Sequence, residues 1–131
     1  MATLTPMTPT LSGGPNVTAG VPPLNPTTLT FTAASSGGDV VPVSSTMPTL
    51  VFIKNSAAGT PTVTFAGQAD SWGGTAASHN LVVTTTSGSG TPSITCAGVF
   101  LPYRWGSTMA ITYSVNTNLS IAVVNIPYAD L

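Results

Sequence analysis

Charge is what this chain lacks most. Of its 131 residues, two are Lys or Arg and three are acidic, so 4% are charged, against about 25% in an ordinary soluble domain. The five are Asp39, Lys54, Asp70, Arg104 and Asp130, and glutamate is missing altogether. A net charge of -1 leaves no basic stripe to displace counterions from a phosphate backbone, which excludes nucleic-acid binding as a function class. Cysteine is reduced to Cys96, so no internal disulfide can form and a disulfide scaffold is excluded. Beside Ile94 in a β-type segment, Cys96 is expected to be a small buried apolar side chain. No apolar run reaches the roughly 18 residues a membrane span needs. The first ten residues show neither a basic n-region nor an apolar h-region, so no secretion signal is read there. On that reading the sequons at Asn16 and Asn118 have no route to glycosylation.

Catalytic groups are as scarce. Acid–base or nucleophilic chemistry needs at least two groups that accept, donate or stabilise charge at one place. Ser78, His79 and Asp70 could be written as a triad. Adjacent Ser and His in a strand face opposite sides, however, and no elbow motif surrounds the Ser. His79 is read as a surface loop residue. Zinc wants three or four Cys, His or carboxylate ligands, and the chain has one Cys and one His. Asp39 and Asp70 lack the Asp-rich loop pattern of a calcium site, and the Gly-rich turns lack the Lys of a phosphate cradle. The expectation is a non-enzyme with no cofactor and no metal.

What the chain does have is apolar residues, at 42%, among many Thr and Ser, 13 Gly and 12 Pro. That apolar content offsets chain entropy and separates the sequence from charge-poor disordered chains. Its length suits one domain. Residues 1–28 stand apart, with Pro6, Pro9, Pro15, Pro22, Pro23 and Pro26 removing donors and fixing φ. They read as an extended arm, punctuated by Leu4, Met7, Leu11, Val17, Val21 and Leu24 as apolar anchors for a neighbouring subunit; the plainer alternative is a loose terminus. From 29 to 131 short β-type segments alternate with turns: 29–32, 49–54, 62–65, 81–86, 93–96, 98–101, 109–113 and 119–126. The run Leu50-Val51-Phe52-Ile53 suggests a strand buried on both faces. Residues 111–113 and 119–123 around an Asn-rich turn suggest a C-terminal hairpin. Together these segments predict an all-β fold, a single jelly-roll-like β-sandwich behind a Pro-rich N-terminal arm.

Aromatic residues are few. Trp72 sits in a Gly-rich turn, and Tyr103-Arg104-Trp105 follows Pro102. Three roles compete for them. They could close the ends of the core, act as interface anchors (for which Trp, Tyr and Arg are enriched), or stack on sugar rings. A surface this poor in charge also promotes association, which favours an assembly that covers it.

Residues 48–126 resemble small virion proteins of tailed phages that decorate or cement the head. The residues that carry this are Thr49-Leu50-Val51-Phe52-Ile53-Lys54-Asn55, then Pro61-Thr62-Val63-Thr64-Phe65, then Gly98-Val99-Phe100-Leu101-Pro102-Tyr103-Arg104-Trp105. The segments Ala110-Ile111-Thr112-Tyr113-Ser114 and 119–125 follow. The resemblance implies a β-sandwich on the surface of an icosahedral head, made in the host cytoplasm. It also implies the major capsid protein as partner, and trimers at local threefold positions. The expected interface residues are Leu4, Met7, Leu11, Val17, Val21, Trp72, Tyr103, Arg104 and Trp105. The alternatives are a carbohydrate-binding adhesion module and a tail or fibre component. Neither nucleic acid nor membrane is an expected partner.

Overall fold

A computed structural model describes residues 2–9, 28–56, 59–68, 80–85 and 92–127, with the side chains of Tyr103 and Arg104 outside that description. The described residues form strands β1 Ala2–Thr3, β2 Thr32–Ala33, β3 Asp39–Pro42, β4 Thr49–Asn55, β5 Thr62–Phe65, β6 Leu81–Thr84, β7 Ser93–Phe100, β8 Thr108–Tyr113 and β9 Leu119–Asn125. One helical turn, α1 Pro102–Trp105, interrupts them. The strands make a five-stranded sheet in the order β1-β3-β8-β5-β6 and a four-stranded sheet in the order β2-β9-β4-β7. The fold is all-β, as expected.

The pairing has a simple logic. β5 pairs with β6, β4 with β7, β3 with β8 and β2 with β9, all antiparallel. The chain is thus folded back on itself as one long nested hairpin. Alternate pairs fall into alternate sheets, and β5·β8 and β4·β9 zip the halves together. Rolled in this way, the eight strands β2 to β9 form a jelly-roll sandwich.

Period-two alternation places the core between the sheets. β4 is buried at every second residue, with Val51 and Ile53 at 0% exposure. Val41, Val63, Phe65, Met109 and Ile111 face them from one sheet; Phe100, Leu119, Ile121 and Val123 share their own. Phe65 meets Phe100 at 4.9 Å between ring centroids, and Phe100 meets the edge of Trp105 at 5.0 Å. Each large side chain buried in full contributes about 1.5–3 kcal/mol.

Sequence and structure differ in several places. β8 and β9 do not form the expected hairpin: they lie in opposite sheets, and residues 114–118 arch across the end of the sandwich. Strand length and an Asn-rich turn read alike for a hairpin and an arch, and only long-range pairing separates them. Asn118 does take the positive φ (62°) that Asn tolerates. The segments 93–96 and 98–101 are one strand, β7, across a bulge where Val51 opposes Gly98 and Phe52 opposes Cys96. β3 gave no clear signal, because Pro42 and the preceding glycines read as a break. Pro42 sits at the end of its strand, where it disrupts little. α1 starts on Pro102 at its N-terminus, where a missing N–H costs nothing.

N-terminal residues 2–9 are built into the sandwich. β1 pairs parallel with β3, and Leu4 donates its N–H to Val40 at 2.8 Å. Met7 then bridges Val124 on the edge of β9, donating to the Val123 carbonyl and accepting from the Asn125 N–H at 2.8 Å each. The segment therefore crosses from one sheet to the other and laces their shared side.

Asp39 fastens this crossing. It is fully buried, and its carboxylate accepts hydrogen bonds from Tyr113 Oη (2.6 Å), the Ser35 N–H (3.0 Å) and the Ala2 N–H (3.3 Å). Burial alone would push its pKa up, but these donors outweigh burial and hold it below the ordinary carboxylate range. Tyr113 is pushed well above its ordinary value by burial and by the adjacent carboxylate. The turn before Asp39 needs Gly38: its φ is +88°, and an added Cβ would lie 2.5 Å from the Ile111 carbonyl oxygen.

A buried, bonded carboxylate predicts acid sensitivity. Since its pKa is depressed in the fold, its contribution is present above the unfolded value of about 3.9 and is lost as pH falls through the folded value. Asp39→Asn is expected to cost about 2 kcal/mol at neutral pH and to flatten the acid-side loss. Urea titrations at several pH values check this; parallel curves for the two proteins would remove Asp39 as the cause.

Candidate interaction surface

The outward positions of the two sheets differ in chemistry. On the sheet containing β8 they are Thr62, Thr64, Thr84, Thr108 and Thr112, interspersed with Val40, Pro42, Val82 and Ala110. On the sheet containing β4 they are apolar apart from Lys54 and Ser120; Ala122 and Val124 on β9 are buried, so the exposed part of this face lies toward β7. Leu50 and Phe52 of β4 are half-buried on the side opposite Val51 and Ile53. Register sets Leu50 beside Val99 and Phe52 beside Cys96 on β7, and Leu50 beside Val124 and Phe52 beside Ala122 on β9. Ile94 and Val99 are 57% and 56% exposed. Lys54, opposite Ile94, is the charged residue of this face, and its ammonium lies 5.6 Å from the centre of the Phe31 ring. That geometry is a cation–π contact, which keeps the charge without leaving it alone.

Two expectations change here. The run 50–53 is not buried on both faces: only Val51 and Ile53 reach the core, while Leu50 and Phe52 turn outward. Cys96 is exposed, not buried, because β7 alternates and its inward positions go to its neighbours. Local composition reveals an apolar strand but not which parity faces the core.

The expected interface residues fall into three groups. Leu4 is 3% exposed and Trp105 8%, and both belong to this chain's own core, which corrects their assignment as contacts for a neighbour. The reason is packing: Leu4 enters between the sheets from β1's end, and Trp105 is delivered by α1 against Phe100. Met7 is half-buried on β9's edge and keeps one side open, with its sulfur near the Thr30 N–H at 3.2 Å. Leu11, Val17, Val21 and Trp72 lie outside the described residues, as do the side chains of Tyr103 and Arg104. The outward residues Leu50, Phe52, Ile94 and Val99 went unnoticed as a surface. Their signal was present in the alternate positions of 50–54 and 94–99, but needed the sheet order to be seen as one face.

Among the described residues, no three His, Cys, Asp or Glu side chains come together as metal ligands. Asp39, weighed above for calcium, has both oxygens occupied by protein donors. Ser78, His79 and Asp70 lie outside the described residues. An open hollow of about 320 Å³ at one sandwich end, between 59–61 and 114–118, is lined by uncharged residues. Among the described residues no helix is long and apolar enough to cross a membrane. Comparison with protein-family models, curated proteins and solved structures found no match to this chain.

The core placement of Leu4 and Trp105 has a measurable consequence. Leu4→Ala is expected to cost about 2–4 kcal/mol and Trp105→Ala about 3–5 kcal/mol in urea unfolding. A loss below about 1 kcal/mol, typical of surface positions, would return either residue to the surface.

Proposed function

We propose that this chain is a capsid decoration (cement) protein, a virion structural protein that binds the major capsid protein and stabilises the mature head. The observation that carries the reading is the apolar outer face built by Leu50, Phe52, Ile94, Cys96 and Val99 on a small jelly roll with almost no charge. Exposed apolar faces of this kind mark interaction sites. A shell lattice offers a large fixed surface to cover one, and a protein that binds only the mature lattice shifts the equilibrium toward it. The phage-like segments 49–55 and 98–105 supply most of that face, so the resemblance and the exposed chemistry coincide. The carbohydrate-binding alternative loses Trp105, which is buried against Phe100.

Truncating residues 1–24 would remove β1 and Leu4 from the core, so loss of binding there would report misfolding as much as lost contacts. A face-specific comparison avoids this. Purified protein is expected to co-sediment saturably with mature undecorated heads, at a fixed ratio to capsid subunits, and to raise the melting temperature of the shell. Phe52→Ala should weaken binding about tenfold, some 1.4 kcal/mol, while Thr112→Ala on the opposite sheet leaves it unchanged. Absence of saturable binding, or equal effects from the two variants, would overturn the reading.

A further inference from the structure

Two sheets have four ends, and they are not equally guarded. β1 and β2 are two residues long and β6 is four, whereas β7, the outermost strand of its sheet, runs for eight residues from Ser93 to Phe100. One side of β7 is paired along its length with β4. Among the described residues nothing pairs with the other side. Natural edge strands are usually blunted by charge, internal proline, brevity, a bulge or a covering segment. β7 has no charged residue and no proline within it; its one irregularity is the bulge at Gly98.

We propose that the edge of β7 left unpaired among the described residues pairs antiparallel with the β7 edge of a second copy of this chain, across a two-fold axis, merging two four-stranded sheets into one. A bare edge presents donors and acceptors in alternation, and such a row is complementary to itself when the second copy runs antiparallel. That is the condition for an isologous contact. With no charge on β7, doubling it creates no like-charge repulsion. Lys54, on the next strand, is held over Phe31. The apolar row Ile94, Cys96 and Val99 continues across the axis into its own copy, so the outer apolar face doubles in width. The foreign-strand alternative lacks support, because β7 carries no charge that would select another sequence. Cys96 lies at the middle of β7, which brings the two thiols close to the axis.

This inference is independent of the capsid reading, and its test uses the free full-length protein without heads. Native mass measurement at micromolar concentration is expected to give twice 13.1 kDa. A short bis-maleimide should link the pair through Cys96, and Cys96→Ser should abolish the link. The double variant Ile94→Lys/Val99→Lys places like charges on both sides of the axis at two exposed positions. It is expected to be monomeric with an unchanged melting temperature. A monomer at every concentration would overturn the proposal, as would the threefold grouping that the phage resemblance implies. So would a dimer that neither links through Cys96 nor responds to the lysines. A dimer that fails to bind heads would overturn the capsid reading and leave this one standing.

Discussion

Antiparallel pairing of strands distant in sequence is the constraint from which the rest of this structure follows. Of the consecutive strands from β2 onward, only β5 and β6 pair with each other; every other link crosses from one sheet to the opposite one. Pairing then spreads outward until Thr32 lies opposite Ile121. Loop closure must precede the contacts that reward it, so such topologies fold slowly relative to those built from local contacts. The nested order also decides which strands are left outermost, and therefore that β7, eight residues long and uncharged, has one side with which no described residue pairs.

The second constraint is the scarcity of charge. With few ions to hydrate the surface, solubility rests on threonine and serine hydroxyls. Threonines stand among Val40, Pro42, Val82 and Ala110 on the outside of one sheet, while Leu50, Phe52, Ile94 and Val99 line the outside of the other. Inside, the polar groups are few, and among the described residues only Ser93 Oγ is buried without a hydrogen-bond partner. Thr49 Oγ1 donates to Asn125 Oδ1 at 2.8 Å where β4 and β9 end, and Asn55 Nδ2 donates to Thr85 Oγ1 at 3.4 Å. Asp39 has the most demanding position, since a buried carboxylate without donors would cost several kcal/mol. Three donors from the N-terminal residues, the preceding turn and β8 make it a knot between segments far apart in sequence.

Much of the architecture was legible before any coordinates. The alternation of 62–65 and the dense run of 49–54 gave β5 and β4 nearly at their boundaries, because period two survives wherever one face is buried. β1 and β3 were missed: one is two residues in a proline-rich stretch, the other a short run hidden between glycine and proline. Neither has the length for a periodic signal. The interaction surface was legible only in fragments. Tyr103-Arg104-Trp105 drew attention as an aromatic cluster, yet Trp105 serves the core; Leu50 and Phe52 looked like core, yet face outward. Aromatic and aliphatic residues suit interiors and interfaces equally, and composition does not tell the two apart.

The amino-acid sequence by itself determined the fold class, the strand-rich body and the scarcity of charged side chains. Those properties depend on composition and on spacing within single segments. Tertiary structure decided which parity of each strand faces the core, which strand ends a sheet, and that Leu4 and Trp105 belong to the core while Cys96 and Val99 belong to the surface. Parity and edge position are set by pairing between residues far apart in sequence, 89 positions for Thr32 and Ile121 and 117 for Met7 and Val124, and no local pattern contains that information.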